Sequence, residues 1–160
     1  MDTPAAGRVA VMSIHPRYAE AILSGQKRVE FRKRRLAPDV TTVLVYATQP
    51  VGVLVGAFEI TGYDTGSPTA IWRRHSRHGG ITRRAFRDYY RGTERAVGIL
   101  LRDSRPLARP LALTDLDAAL RPPQSFLYVN LAPWPSAGVP GQPSNHRARA
   151  AVRPAGMKMA

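Results

Sequence analysis

The chain has 160 residues, enough for one domain and an extension, and 44% of them are hydrophobic, which excludes a wholly disordered protein. It contains no cysteine, so disulfides, zinc ribbons and cysteine nucleophiles are all excluded. Twenty-four Lys and Arg face 11 Asp and Glu, a net charge of +13, and a chain this basic attracts polyanions by counterion release.

No apolar run approaches the ~20 residues that span a bilayer. The opening residues, MDTPAAGR, lack the basic and apolar regions of a signal peptide, so a cytoplasmic protein with no membrane partner is expected. Composition changes near Leu131. Beyond it lie Pro133, Pro135, Gly138, Pro140, Gly141 and Pro143, then Arg147, Arg149, Arg153 and Lys158 with no acid. Residues 132–160 are therefore expected to be a disordered basic tail, because such a segment buries too little apolar surface to offset its ordering entropy. The tail holds four of the 24 cations, so the body, residues 1–131, sets 20 cations against 11 acids and is basic by +9 on its own.

In chain order, Val9–Ile14 reads as a strand. Pro16 suits the first turn of a helix, with His15 placed to cap it. Tyr18, Ala21 and Ile22 share a face, and Gly25 stands where a left-handed cap ends the helix. Lys27–Lys33 alternates about Val29 and Phe31 and predicts a strand with one charged face, followed by strands over Val43–Ala47 and Gly52–Ile60. Pro68–His75 predicts a short helix that Gly79 and Gly80 terminate. Thr82 then caps a second one over Arg83–Arg91, whose Phe86, Tyr89 and Tyr90 form a packing face opposite Arg83, Arg84, Arg87 and Arg91. Those arginines either track phosphates or make a plain solvated surface. Further strands are expected at Ala96–Leu101, Leu107–Leu113 and, after the Arg121-Pro122-Pro123 turn, Ser125–Leu131. Six or seven strands with two or three helices spell α+β, most economically a small β-barrel of about six strands with the helices packed on it.

The run Gly25-Gln26-Lys27-Arg28-Val29-Glu30-Phe31-Arg32 has the form G-x-K-x-x-E-x-R. On a strand Arg28, Glu30 and Arg32 project to one face, with Lys27 at the turn before it. A carboxylate among cations stays ionised and holds Arg28 or Arg32 as a fixed fork for a phosphate or a base edge. The plain alternative is a solvated strand face with an ordinary salt bridge.

The stretch Ser13–Lys33 that contains this motif resembles the opening of ASCH-family domains, which have a PUA-like fold. Further matching blocks follow in order: Tyr46-Ala47-Thr48-Gln49-Pro50-Val51-Gly52; Val55-Gly56 with Glu59; Gly80-Ile81-Thr82 with Phe86, Tyr89, Tyr90 and Gly92; and Pro122–Tyr128. The resemblance covers residues 9–131. It implies a PUA-type β-barrel in which Lys27, Glu30 and Arg32 line a cleft for RNA or a nucleotide, including one with a modified base. Tyr46, Thr48 and Gln49 from one strand end, and Gln124, Ser125 and Tyr128 from the closing strand, are expected at the same cleft. A tyrosine there could stack on a base, although Tyr46 is equally explained as core.

The longer family members most like this chain are described as transcriptional regulators, some with a helix-turn-helix module. Only eight residues precede the first strand and the tail is proline-rich, so no such module is expected; RNA is the expected partner, with DNA the alternative polyanion. Some small ASCH proteins hydrolyse amides on modified cytidines using a lysine, a threonine three residues later and a later glutamate. Here Lys27 is kept, Glu30 replaces the threonine, and Gly79 stands near the carboxylate position, which argues against that activity. Others are ribonucleases, and the enzymatic alternative is an RNA-cleaving hydrolase in which Lys27 stabilises a pentavalent phosphate while Glu30, Tyr46 or a histidine moves the proton. His15, His75, His78 and His146 are scattered, so no metal site and no cofactor are expected. Trp72 and Trp134 are read as packing residues.

Overall fold

A computed structural model describes residues 8–130 and the pair Val152–Arg153. Strand β1 (Arg8–Ile14) is buried at every position from Val9 onward, as a strand covered on both faces requires. Helix α1 (Pro16–Leu23) starts on Pro16, and the His15 imidazole caps it by accepting the Arg17 N–H through Nδ1 at 3.2 Å. Gly25, at φ +83°, supplies the left-handed residue that ends it. Then come β2 (Val29–Arg32), β3 (Thr42–Ala47) and β4 (Val53–Gly66). Helix α2 (Pro68–His75) and a 3-10 turn (Ser76–His78) lead to α3 (Arg83–Tyr89), and the Ser67 and Thr82 hydroxyls cap the two helices. The chain continues through β5 (Ala96–Leu111), a one-turn helix α4 (Leu113–Leu116) and β6 (Phe126–Asn130), and Val152–Arg153 forms β7.

The sheet order is β2-β5-β4-β3-β1-β6-β7. Among the described strands only β1 and β3 pair in parallel, with Ala10 opposite Val43 and Ile14 opposite Ala47. Every other ladder is antiparallel. The alternation of β1 feeds two cores. Ala10, Met12 and Ile14 meet Val43, Val45, Phe58, Val97 and Ile99 under Ala19 and Ile22 of α1. Val9 and Val11 meet Leu44, Leu54 and Leu127 with Leu113 and Leu120 on the other side. A third cluster packs α2 and α3 on β2 through Ile71, Phe86 and Tyr90 against Val29 and Phe31. Trp72 joins it, its ring 5.0 Å from that of Phe86. Each core is apolar area removed from water at roughly 25 cal/mol per Å².

Two expectations need correction, and one element was unforeseen. The two strands expected at Ala96–Leu101 and Leu107–Leu113 are one strand, β5, which turns through Asp103 at φ 52° and bulges against β4. β2 pairs only with Val97–Leu100, so the outer edge beyond them is open and tolerates Pro106, Pro110 and exposed charges. Helix α4 was not anticipated, being a single turn after β5. Among the described residues the barrel does not close: β2 stands at one end of the sheet, and β1 carries β6 and β7 at the other, with no ladder between the ends. β2 has only four residues, paired with β5 as far as Arg32–Val97, and the Arg32 carbonyl also accepts the Tyr90 hydroxyl at 2.8 Å. Side chains of β1 and β6 hold the connection that leaves β2 instead. Arg8 binds Asp39 through Nε at 2.8 Å and Nη2 at 2.6 Å, and the Tyr128 hydroxyl accepts the Ala37 N–H at 2.8 Å. The expected disordered tail lies outside the described residues apart from Val152–Arg153, which extend the sheet beside β6. Trp134 and His146 also lie outside them. No helix among the described residues is long and apolar enough to cross a membrane.

Candidate functional site: a buried ion network at the sheet seam

Gly25 turns the chain out of α1 so that the Lys27 N–H donates to the Ala21 carbonyl at 2.9 Å and its side chain runs beneath the α2–α3 connection. Lys27 is 2% exposed, and its Nζ donates to the Gly79 carbonyl at 2.5 Å. The ammonium lies 5.0 Å from the centre of the Phe31 ring and 5.4 Å from that of Tyr18, within cation–π range. Glycine is needed opposite it. A Cβ on Gly79 would sit 2.5 Å from the Phe31 ring, and one on Gly80, itself at φ +58°, would sit 2.8 Å from the Lys27 Cβ. Burial pushes the Lys27 pKa below its ordinary 10.5, while the charge of Glu30 pulls it back.

Glu30 is 6% exposed. Its Oε1 accepts the Arg32 Nε–H at 3.0 Å; its Oε2 lies 3.4 Å from Lys27 Nζ yet makes no hydrogen bond. The guanidinium of Arg32 then crosses the seam: Nη2 donates to the Ser13 carbonyl on β1 at 2.9 Å, and Nη1 to the Ser125 hydroxyl before β6 at 3.2 Å. Ser13 and Ser125 are themselves joined, Ser13 N–H to the Ser125 carbonyl at 2.9 Å, and the Ser13 hydroxyl donates to the Pro123 carbonyl at 2.6 Å. With Lys27 protonated, two cations share one carboxylate, so a net positive charge is buried here. Such a charge is costly unless it is paired.

The structure thus brings Lys27, Glu30, Arg32 and Ser125 together, but as an enclosed network; the protein's own groups occupy the fork expected to face an open cleft. Arg28 is outside it. The first strand residue is Val29, and Arg28 is exposed and meets His78, Nη2 to Nδ1 at 2.8 Å. Tyr46 is 4% exposed and packs in the second core with Leu44 and Leu54, standing opposite Ser13 in the β1–β3 ladder beside the residue whose carbonyl accepts Arg32. Thr48 and Gln49 form the turn after β3, where the Thr48 N–H donates to the Ile14 carbonyl at 3.0 Å; Gln49 and Gln124 are exposed. The Tyr128 ring packs against the first core and under Arg8, 4.6 Å from its guanidinium carbon.

Sequence reasoning missed Ser13, Gly79 and Tyr18. Ser13 had a signal: it is a polar residue near the end of an otherwise apolar strand. The Gly79-Gly80 pair had one too, read only as a helix break. Among the described residues no three His, Asp or Glu side chains are grouped to hold a metal ion.

Residues 12–103 match the ASCH domain family. The chain is 38% identical over 124 residues to an ASCH domain-containing ribonuclease of Zymomonas mobilis, which covers 75% of this chain and 83% of that protein. The crystal structure of ASCH from Zymomonas mobilis superposes with a TM-score of 0.69 at 38% identity, covering 74% of this chain and 85% of that one. A large ribosomal subunit protein uL22 of Ureaplasma parvum is 27% identical over 120 residues, 74% of this chain but only 38% of that protein.

Proposed function

The chain belongs to the ASCH domain family, and on that premise we propose that it acts on RNA as a ribonuclease centred on Lys27, Glu30 and Arg32. The observation that carries this reading is the buried charge imbalance, two cations on one carboxylate, whose surplus positive charge a phosphodiester would complement, while Glu30 Oε2 makes no hydrogen bond and is left to take up a proton. The ribonuclease name of the 38%-identical relative supports it. Arg32 is the most open of the three, its side chain 11% exposed, and its 3.2 Å bond to Ser125 is the longest in the network. The phosphate enters there, exchanging with the Ser125 hydroxyl.

Cleavage then needs one base, one acid and charge stabilisation. Glu30 Oε2 takes the proton from the ribose 2′-hydroxyl as that oxygen attacks phosphorus. The bond from phosphorus to the 5′-oxygen breaks, and the leaving oxygen takes a proton from the Lys27 ammonium, which burial makes a stronger acid than an exposed lysine. Arg32 holds the charge that accumulates on the non-bridging oxygens. The products are a 2′,3′-cyclic phosphate and a 5′-hydroxyl.

The second reading is a module that binds RNA or a nucleotide without cutting it; the near-complete burial of Lys27 favours it. End-labelled single-stranded RNA, and DNA of the same sequence, incubated with wild type, Glu30→Gln and Lys27→Met tests both, with folding followed by circular dichroism. The expected outcome is cleavage of RNA and not DNA, reduced about 10²–10⁴-fold in the folded variants. Intact RNA held with a steep salt dependence selects the binding module. If the protein neither binds nor cuts RNA, both readings fall.

A further inference from the structure

The arginines of α3 take no part in the network. Arg83, Arg84 and Arg87 are exposed and make no ion pair or side-chain hydrogen bond with any described residue. Arg91, just past the helix, pairs with Asp88 at 2.9 Å, with both side chains largely in solvent. These five residues line a surface cavity of about 520 Å³. Positions 83, 84 and 87 are all exposed, while Phe86 and, at the C-cap, Tyr90 are buried in the third core.

This surface is unfavourable for the isolated protein. Arg83 and Arg87 repel each other at a spacing of four. The first turn holds Arg83 and Arg84 but no acid, so two cations stand at the positive end of the helix dipole. Among the described residues Asp88 is the one acid paired within this group, and it is bound to Arg91. A bound polyanion would relieve the whole group, and guanidinium forks match phosphate oxygens in pairs.

The helix is also fixed relative to the ion network. Phe86 packs edge-on to Phe31 at 4.9 Å between ring centres, and the Tyr90 hydroxyl donates to the Arg32 carbonyl at 2.8 Å. A strand held by α3 would therefore sit at a set offset from Arg32. We propose that the arginine face of α3 is a docking surface for the phosphate backbone of single-stranded RNA, distinct from the Lys27–Glu30–Arg32 network and rigidly registered to it. It rests on the reading that RNA is the ligand.

The test is binding of a short labelled single-stranded RNA, followed by fluorescence anisotropy over a series of potassium chloride concentrations, with the full chain. Three proteins are compared: wild type, Arg83→Ala/Arg84→Ala/Arg87→Ala, and a control, Arg95→Ala/Arg102→Ala/Arg109→Ala, which removes the same charge from exposed positions elsewhere. Each lost contact to a single strand lowers the slope of log K against log salt by about 0.7, so the α3 triple variant is expected to lose about 2 from the slope. The control keeps the wild-type slope. An unchanged slope in the α3 variant, or an equal loss in the control, overturns the docking surface while leaving RNA as the ligand. Wild type that does not bind RNA overturns both. Polyglutamate displacing the RNA at matched charge overturns RNA as the occupant of this face.

Discussion

The hydroxyl of Tyr89 is buried without a hydrogen-bond partner, and the Lys33 ammonium lies 5.0 Å from the centre of its ring. Burial raises its pKa from the ordinary 10.0 to about 12, and burial also raises that of Tyr90. A folded value above the unfolded one means that the neutral phenol is favoured by folding. This contribution is complete below pH 10.0 and is lost as pH rises from there through about 12. Wild-type stability, from thermal melts across that window, is expected to fall, and that of Tyr89→Phe to fall less. Near neutrality the variant is expected to be unchanged or stabilised by up to about 1–3 kcal/mol, because an unpaired buried hydroxyl has been removed. A steeper alkaline loss in Tyr89→Phe would refute the assignment. The same reasoning separates the two lysines at the ends of the charged run. Lys27 is enclosed and Lys33 is half-buried over a ring, a difference that residue type alone does not encode.

Among the elements, the α2–α3 connection was legible in outline. Pro68–His75 was expected as a helix and is one, because Ser67 and Pro68 start it and the glycine pair follows it. The function of those glycines was not legible. They look like a helix break, and they serve as the surface against which Lys27 packs. Gly80→Ala would force a left-handed alanine, costing about 1–2 kcal/mol, and would press a Cβ against the Lys27 Cβ as well. Chemical denaturation is expected to show at least that loss, while Gly62→Ala, which has nothing within 4 Å, shows much less. Equal effects at the two glycines would mean that the contact with Lys27 does not matter. β5 shows the converse problem. Asp103-Ser104-Arg105-Pro106 reads as a break in sequence, yet it continues a strand because its outer edge has no partner to satisfy.

At the scale of the molecule, the sheet ends are tied by side chains, and Arg32 is the principal tie. Arg32→Ala would remove its bonds to Glu30, Ser13 and Ser125 and leave Glu30 with Lys27 alone. Breaking a buried ion pair from one side costs about 3–5 kcal/mol. Amide hydrogen exchange is expected to accelerate in β2 at the sheet end, with β3 in the middle of the sheet little affected. Uniform acceleration, or none, would show that the seam does not hold the ends.

Local periodicity and turn chemistry were enough to place α1, α2, α3 and most strands, because Pro16, Gly25, Ser67 and Thr82 act within a turn of where they stand. The ordered motif blocks were enough for the family. Alternation says which residues share a face; it does not say which face is enclosed or what lies across from it. β1 is covered on both sides, so its pattern carries no direction, and the same holds for Tyr46 on the neighbouring β3. The partners of Lys27 and Arg32 lie 52 and 93 residues away, at Gly79 and Ser125. Those segments meet only in the folded chain, where three apolar cores pack the sheet and the α2–α3 connection together.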